Sequence, residues 1–224
     1  LRSIDEAKLL IAKNLKNSEV LKPYLTGDDL NRHFNNQASR YTIYFFDWDI
    51  EKSKEFKDCF SLVESDVKPE REKNNDKRRR EIWWQFSRPT VDLYKEIRKN
   101  ENQNVFVQAR VSKTHAIVKV DSNQIFSDAL VVFNFSEDRI FSILQSVLHE
   151  EWSWKYSSTM KSDRRYTPSD CFETFPFPKN KPNFLENIGA KYQELRGLIM
   201  NSLQIGLTRL YNLYHFEFLT SIDI

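Results

Sequence analysis

Apolar positions of this chain recur at the three- and four-residue spacing of a buried helix face in several separate stretches. The first begins at Ser3, and Glu6 stands three positions later, which is the capping-box pattern of a helix N-terminus. The predicted helices span residues 3–16, 50–65, 137–156 and 184–214. In 137–156 the predicted buried face consists of Ile140, Ile143, Leu144, Val147 and Leu148. In 184–214 the residues at helical spacing are Leu185, Ile188, Tyr192, Leu195, Leu198 and Ile199.

Two stretches are instead dense in β-branched and aromatic residues, which favours strands. They are residues 41–46 and residues 104–135, and the second contains several short apolar runs separated by polar residues. Residues 23–31 have the composition of a turn, with Gly27 where the chain bends. Helices before and after a β-containing middle predict an α+β fold.

Composition supports one domain, or one domain with an appendage, whose core is built around aromatic rings. The chain has 224 residues, of which 40% are hydrophobic and 14% aromatic, enough for a sizeable core. The net charge is only +2, so any contact with nucleic acid depends on where basic residues cluster. Cys59 and Cys171 lack metal-ligand spacing and suit a reducing cytoplasm, where we expect the protein. No apolar run approaches the ~20 residues of a membrane span, so no membrane partner is expected.

Motifs for catalysis and cofactor binding are missing from the sequence. The glycines at 27, 189, 197 and 206 lie too far apart to form the turn that usually cradles a nucleotide or S-adenosylmethionine. The four His residues are dispersed, and we expect them to be polar surface or core groups. These features favour a binding module over an enzyme, and we expect no metal or cofactor within these residues.

The charged segment that starts at Lys161 carries the most specific chemistry. Lys161 and Arg165 can donate hydrogen bonds to guanine, and Asp163 can accept one from the amino group of cytosine. Arg164 can also contact phosphate. An aromatic and proline-rich stretch follows and is expected to pack the sheet onto the helices, leaving the charged segment as a supported loop. The segment predicts contacts with DNA base edges, and an ordinary surface loop is the alternative.

Two other segments are candidates for contacts with the DNA backbone. Residues 68–81 contain seven Lys or Arg against four acids and run directly into Trp83, so they form either a solvated helix or loop or a phosphate-binding stripe. A second group lies at a tip between predicted strands, where phosphate contacts are expected because most protein–DNA hydrogen bonds go to the backbone. The predicted phosphate contacts are Arg78, Arg79, Arg80, Arg110, Ser112, Lys113 and Arg164.

Motifs in a fixed order cover most of the chain. They are residues 23–31, the strand at 41–47, Trp83-Trp84-Gln85-Phe86 before Arg88-Pro89, Arg110-Val111-Ser112-Lys113, Arg165-Tyr166-Thr167-Pro168 with the Phe-Pro stretch at 172–178, and 185–192 with 206–212. Together they resemble the target-recognition region and following helices of fused type IIG/IIL restriction-modification enzymes, the MmeI-like group. In that group one polypeptide joins an adenine-N6 methyltransferase to a DNA-recognition domain, often with a nuclease.

The resemblance implies that these residues are a C-terminal piece of a bacterial restriction-modification enzyme. The catalytic region, with S-adenosylmethionine as its cofactor, would precede Leu1, and the parent would be an adenine-specific DNA methyltransferase with or without a nuclease. The implied partners are double-stranded DNA and the methyltransferase domain of the same polypeptide. We expect residues 1–21 to be a lead-in helix, 22–178 the target-recognition core and 179–224 a C-terminal helical segment.

The resemblance also implies roles for single residues. In the family, the charged positions two apart before the Arg-Tyr motif recognise one base pair, and they match Lys161 and Asp163. Lys161 would donate to guanine, and Asp163 would accept from its cytosine partner. Arg165 matches the next position and would act with a strand residue near Ala129. Arg164 stands where an aromatic residue is common in the family.

Two other functions are compatible with the residues. One is a protein-interaction or bracing module of a larger enzyme, which would bind DNA weakly or not at all. The other is a small hydrolase that uses Asp47, Asp49 and Glu51 with a metal ion. The Trp and Phe residues at 83, 84, 86, 152 and 154 are expected to be core residues rather than platforms for stacked bases.

Overall fold

The computed structural model describes residues 1–160, 163–180 and 182–214, and it confirms an α+β fold. The helices are α1 (Ile4–Lys13), α2 (Gly27–Arg32), α3 (Ile50–Lys54), α4 (Lys57–Asp66), α5 (Lys68–Glu72), α6 (Lys77–Glu81), α7 (Val91–Lys99), α8 (Asp138–Leu144), α9 (Val147–Tyr156), α10 (Pro168–Cys171), α11 (Phe184–Leu203) and α12 (Leu207–Asn212). The strands are β1 (Leu21–Leu25), β2 (Tyr41–Ile43), β3 (Asn104–Ala109), β4 (Val111–Ser112), β5 (Val118–Asp121), β6 (Ile125–Phe126), β7 (Leu130–Phe133), β8 (Ser158–Met160) and β9 (Asp163–Arg165).

The chain folds as two compact units that alternate along the sequence. The first unit contains Leu1–Tyr24, Ser39–Glu101 and Asn123–Ile125. The second contains Leu25–Ala38, Asn102–Ser122 and the described residues from Phe126 onward. Each unit is built from several separate stretches of the sequence, whereas the predicted segments 1–21, 22–178 and 179–224 are consecutive. The roles assigned to those segments stay predictions.

The first helix begins as the sequence predicts. Ser3 Oγ accepts a hydrogen bond from Glu6 N, and the Glu6 carboxylate accepts one from Ser3 N, which completes the capping box. The helix ends at Lys13 rather than at residue 16, because the Asn14 side chain accepts from Lys16 N and starts a separate 3-10 turn, Leu15–Glu19. Local side-chain hydrogen bonds therefore set both ends of α1.

Aromatic rings form the core of the first unit, as the composition predicts. β1 pairs with β2 in antiparallel register, with Leu21 opposite Ile43. The buried cluster beside them consists of Ala7, Val20, Leu21, Phe45, Phe56, Cys59, Phe60, Val63 and Trp83. Strand β2 is shorter than predicted, because the chain leaves the extended conformation after Ile43 and Phe46 adopts a positive φ of 52°.

The turn predicted for residues 23–31 is wrong. The segment instead contains the end of β1 and helix α2, whose N-terminus is a second capping box. Thr26 Oγ1 accepts from Asp29 N, and the Asp29 carboxylate accepts from Thr26 N. The Thr-x-x-Asp spacing was the signal for this helix, and Gly27 is its first residue rather than a bend.

The second unit is organised around a three-stranded antiparallel sheet with β3 in the centre. Phe106 of β3 lies opposite Lys119 of β5 and Phe133 of β7, which fixes the register on both sides. The buried cluster on this sheet consists of Phe106, Ile117, Val131, Phe133, Ile140, Phe141, Leu144, Tyr166 and Cys171. The sheet and the helices that cover it hold the residues of the candidate interface.

The helix predicted over 137–156 is two helices, α8 and α9. Ser146 Oγ accepts from His149 N as the N-cap of α9, while the Gln145 side chain turns inward and binds Ile117 N and His115 O. Ile140, Ile143 and Leu144 are buried as predicted, whereas Val147 and Leu148 are exposed. The new helix axis therefore changes which residues of 147–156 face the core.

Helix α11 follows the predicted spacing and packs closely on α8. The Glu186 carboxylate accepts from Asp138 N and Arg139 N, so it caps the N-terminus of α8. One turn later the backbone of Gly189 lies directly against Asp138. Among the helices of the described ranges, none is long and apolar enough to cross a membrane.

Candidate nucleic-acid interface

A small antiparallel sheet contains Asp163 and Arg165, two of the four residues predicted to contact DNA bases. Strand β9 is its centre, with β4 on one side and β8 on the other. Arg165 lies opposite Val111, and Arg164 lies opposite Ser112. The charged segment predicted as a loop is thus a strand from Asp163 onward, which corrects the sequence interpretation. Lys161 lies outside the described residues.

Arg110 joins this small sheet to the large one through its backbone. Arg110 N donates to Ala129 O at 2.8 Å, and Arg110 O accepts from Tyr166 N at 2.8 Å. Arg110, Ala129 and Arg165 are therefore neighbours, although they lie far apart in sequence. Ala129 and Arg165 are both exposed. Their roles in base recognition stay a prediction.

The two faces of β9 have opposite environments. Arg164 and Tyr166 are each 1% exposed, while Arg165 between them is exposed and Asp163 is partly exposed. Alternate side chains of a strand point to opposite faces, so a slip of one residue would bury Asp163 and Arg165. The register of β9 consequently decides which charged groups reach the surface.

Two buried hydrogen bonds attach β9 to helix α9 and fix that register. Arg164 Nη1 donates to Ser153 Oγ at 2.6 Å, and the Tyr166 hydroxyl is 3.0 Å from His149 Nε2. His149 and Ser153 are one helical turn apart, about 6 Å along the axis, and alternate strand residues are about 6.6 Å apart. The strand repeat therefore matches the helix repeat, and the strand is held at two points.

The hydrogen-bond pattern determines how the buried imidazoles are protonated. The Leu144 carbonyl can only accept, and it lies 2.7 Å from His149 Nδ1 and 2.6 Å from His115 Nε2, so both nitrogens carry hydrogen. Burial lowers the pKa of His149 to about 4 and that of His115 to about 3. Neutral His149 then accepts at Nε2 from the Tyr166 hydroxyl, whose pKa is raised by burial.

The protein should lose stability when the pH falls below about 6.5, the ordinary pKa of His. Both imidazoles stay neutral in the native state down to a pH of about 4, whereas in the unfolded chain they bind protons from about 6.5. Each should contribute a loss of up to about 1.4 kcal/mol per pH unit within that window. Urea unfolding at a series of pH values measures this slope. His149→Gln should reduce it, and an unchanged slope in that variant would contradict the assignment.

The predicted phosphate contact at Arg164 is wrong, because its side chain is buried and engaged within the protein. Its guanidinium lies over the Trp154 ring at 5.4 Å while donating to Ser153. Burial lowers the pKa of Arg164 from its ordinary value. Arg164 therefore positions its neighbours.

The other predicted phosphate contacts of this unit have different surroundings. Lys113 is exposed, while Arg110 and Ser112 are partly buried. Ser112 Oγ accepts from Thr114 N at 3.0 Å, which stabilises the turn after β4. A phosphate would have to share the Ser112 hydroxyl with this turn, so Lys113 is the best placed of the three for contact with phosphate.

The basic run of the first unit forms the short exposed helices α5 and α6. Arg80 Nη1 donates to the carbonyls of Asn74 and Asn75. Arg79 lies 3.7 Å from the Asp76 carboxylate, and Arg78 is exposed. Two of the three arginines therefore contact residues 74–76, just before α6, which supports the solvated-helix interpretation without testing the phosphate contacts.

The acids considered for a hydrolase have structural roles. Asp47 lies 3.8 Å from Lys95 Nζ, and Asp49 caps α3 by accepting from Lys52 N. Glu51 pairs with a lysine one turn further along the same helix. Across the described ranges, no group of three or more His, Cys, Asp or Glu is placed to hold a metal ion.

The aromatic residues are mainly packing groups, as the sequence predicts. Trp83 is buried, and Trp84 Nε1 donates to the Trp48 carbonyl. Trp152 packs against Phe175, which itself contacts the His149 ring. The Phe-Pro stretch thus packs onto α9, as expected. Trp154, at 37% exposure beneath Arg164, is the partial exception.

A cleft of about 290 Å³ lies in the first unit. Its wall includes Tyr24, Thr42 and Trp84. The arginines beside it are already engaged, since Arg2 pairs with Asp66 and Arg71 donates to a serine hydroxyl. Arg2 is thus paired with a carboxylate and Arg71 is held by a neutral hydroxyl, and we assign the cleft no ligand.

Comparison with known proteins gives one family and one fold. The model of the MmeI target recognition domain matches residues 1–179. No curated protein matches the chain. A solved structure of the type IIL restriction-modification enzyme MmeI in complex with DNA is similar in fold, with a TM-score of 0.61 and 19% sequence identity. The match covers 96% of this chain and 27% of the MmeI chain, so this chain spans about a quarter of that length.

Proposed function

Because this chain belongs to the family of MmeI target recognition domains, we propose that it recognises a specific double-stranded DNA sequence for a restriction-modification enzyme. The observation that carries the proposal is the sheet around β9. Arg165 lies at the surface on a strand whose other face is fixed to α9, and the Arg110 backbone connects that strand to the exposed Ala129. Donors held in one geometry are what discrimination between base pairs requires.

In the proposed complex the exposed face of β9, which carries Asp163 and Arg165, faces the major groove. Lys161 donates to guanine, Asp163 accepts from the amino group of the paired cytosine, and Arg165 contacts an adjoining position together with Ala129. Lys113 and Arg110 contact phosphates, which position the domain without selecting a sequence. The alternating faces of β9 support this arrangement, because they send Asp163 and Arg165 to the side opposite the buried Arg164.

In this proposal the chemical step that follows DNA recognition is carried out by other parts of the polypeptide. We propose that DNA recognition positions a target adenine for N6 methylation by a methyltransferase domain elsewhere in the same polypeptide. S-adenosylmethionine would be bound there, because the present residues lack a glycine-rich turn for it. An adenine taken out of the duplex would be held mainly by that domain. No catalytic role falls to the residues of this chain.

The proposal predicts that selection against a pool of randomised duplexes enriches one motif. The selection uses the whole encoded polypeptide, with Lys161→Ala and Arg165→Ala in parallel. Each variant should lose preference at one position of the motif, with a cost of about 1–3 kcal/mol for the lost bidentate contact. Arg79→Ala is the matched control, because loss of a phosphate contact weakens all sequences alike and lowers the salt slope by about 1.

The outcomes separate recognition from bracing. No enriched motif, with salt-dependent binding retained, would mean that the domain contacts only the DNA backbone. No binding at all would support the bracing module instead. A motif unchanged in both Lys161→Ala and Arg165→Ala would reject the residue roles while leaving DNA recognition intact.

A further inference from the structure

Strand β8 forms the outer edge of the small sheet, and its first residue lies beside Arg165. Ser158 is opposite Arg165, and Thr159 is opposite Arg164, in the antiparallel register. Side chains of directly opposed residues lie on the same face of a sheet, so Ser158 shares the exposed face with Arg165. Thr159 instead lies on the face of the buried Arg164. Ser158 and Thr159 are both exposed.

The start of β8 is fixed by the same helix that holds β9. Ser157 N donates to the Ser153 carbonyl at 2.9 Å, and Ser157 Oγ is 3.0 Å from Cys171 Sγ. The Ser153 hydroxyl also accepts a hydrogen bond from β9. One residue of α9 therefore contacts both strands, through its backbone and through its side chain. Ser158 and Arg165 are thus held in one geometry, which base-pair discrimination requires.

A row of three residues crosses the exposed face of this sheet. Val111, Arg165 and Ser158 are opposite one another on β4, β9 and β8. Neighbouring strands lie about 4.8 Å apart, and stacked base pairs lie about 3.4 Å apart, so neighbours in the row reach the same or adjoining base pairs. The major groove admits a two-stranded ribbon, which is the width of the β8–β9 pair. Val111 has no polar side-chain group, so Ser158 is the hydrogen-bonding neighbour of Arg165 in this row.

The length of the serine side chain determines how it can contact a base. Its hydroxyl both donates and accepts hydrogen bonds, so it can pair with polar groups of any base edge. Serine is much shorter than arginine, so a base that Arg165 reaches directly lies beyond the direct reach of Ser158. An ordered water molecule can bridge such a gap, and bridging waters carry specificity in protein–DNA interfaces.

We propose that Ser158 is a further specificity-determining residue, whose hydroxyl contacts, through a bridging water, a base pair adjoining the one that Arg165 contacts. The inference rests on the proposed function, because it requires that the exposed face of β9 faces the major groove. It adds a residue that lies outside the charged segment and is brought beside that segment by strand pairing. The alternative role for an exposed hydroxyl is a phosphate contact, which carries no sequence information.

Selection of the whole encoded polypeptide and its variants against randomised duplexes tests this role. Arginine at position 158 has the reach of Arg165, so Ser158→Arg should introduce a preference for guanine of about fivefold or more at a position adjoining the one that Arg165→Ala relaxes. Ser158→Ala should weaken the existing preference at that same position by about threefold. Thr159→Arg is the matched control, because it adds the same charge to the next residue on the opposite face. It should leave the motif unchanged.

The remaining outcomes overturn the inference in distinguishable ways. If the parent protein enriches a motif that Ser158→Arg leaves unchanged, Ser158 does not face the bases and this inference alone fails. A new guanine preference without any loss in Ser158→Ala would show that the native serine makes no base contact. A motif altered by Thr159→Arg would show that β8 presents its other face. If the parent protein enriches no motif, the proposed function fails, and the role of Ser158 fails with it.

Discussion

Gly189→Ala should destabilise the protein by about 3 kcal/mol, because an added methyl has no space between α11 and α8. A Cβ at this position would lie 2.2 Å from the Asp138 carbonyl oxygen and 2.7 Å from Ser142 Oγ. The serine could rotate, but the carbonyl belongs to the first turn of α8 and cannot move without displacing that helix. Urea unfolding of the variant and the parent protein measures the loss.

Gly197→Ala is the control in the same helix. A Cβ at Gly197 meets nothing within 4 Å, and alanine favours the helical state over glycine by about 1 kcal/mol. We therefore expect Gly197→Ala to be neutral or stabilising. Equal effects of the two substitutions would contradict the close packing of α11 on α8, since helix propensity alone makes both favourable.

Arg164→Ala should destabilise the protein by about 3 kcal/mol, whereas Arg165→Ala should change stability by less than about 0.5 kcal/mol. Removal of Arg164 leaves a cavity above Trp154 and eliminates a charge-assisted hydrogen bond to Ser153. Arg165 is exposed, so its side chain contributes little to folding. Thermal and urea unfolding of both variants provide the comparison.

The same two variants should behave in the opposite way toward DNA. Arg165→Ala should lose one position of the recognised sequence without loss of fold. Arg164→Ala, at a temperature where it is folded, should relax preference at several positions, because the whole strand loses one of its two attachments. A stable Arg164→Ala variant with unchanged specificity would show that Tyr166 alone holds the register.

Arg164 shows how a site residue is misassigned from sequence. Its neighbours are charged, and three of the four residues from Lys161 to Arg164 carry charged groups that DNA-contacting loops commonly use. The alternation of a strand sends every second residue inward, but a run of so few residues cannot reveal that a strand is present.

The sequence by itself determined the features that depend on neighbouring residues. Capping at Ser3 and Glu6, helical spacing in α11 and the aromatic core of each unit all follow from short-range chemistry and apolar periodicity. The capping box at Thr26 is also visible in the sequence, but the turn-like composition of residues 23–31 favoured a turn over a helix. Ordered motifs along the chain were enough to identify the family.

Tertiary structure alone decided the rest. The helix break at Ser146 depends on the Gln145 side chain binding His115 and Ile117, which lie about thirty positions away in sequence. The same break orients α9 so that it packs against β9. Backbone hydrogen bonds between residues far apart in sequence place Ala129 and Arg165 on the two sides of Arg110. Such contacts are set by which surfaces bury each other, and that information is spread over the whole fold rather than held in any local pattern.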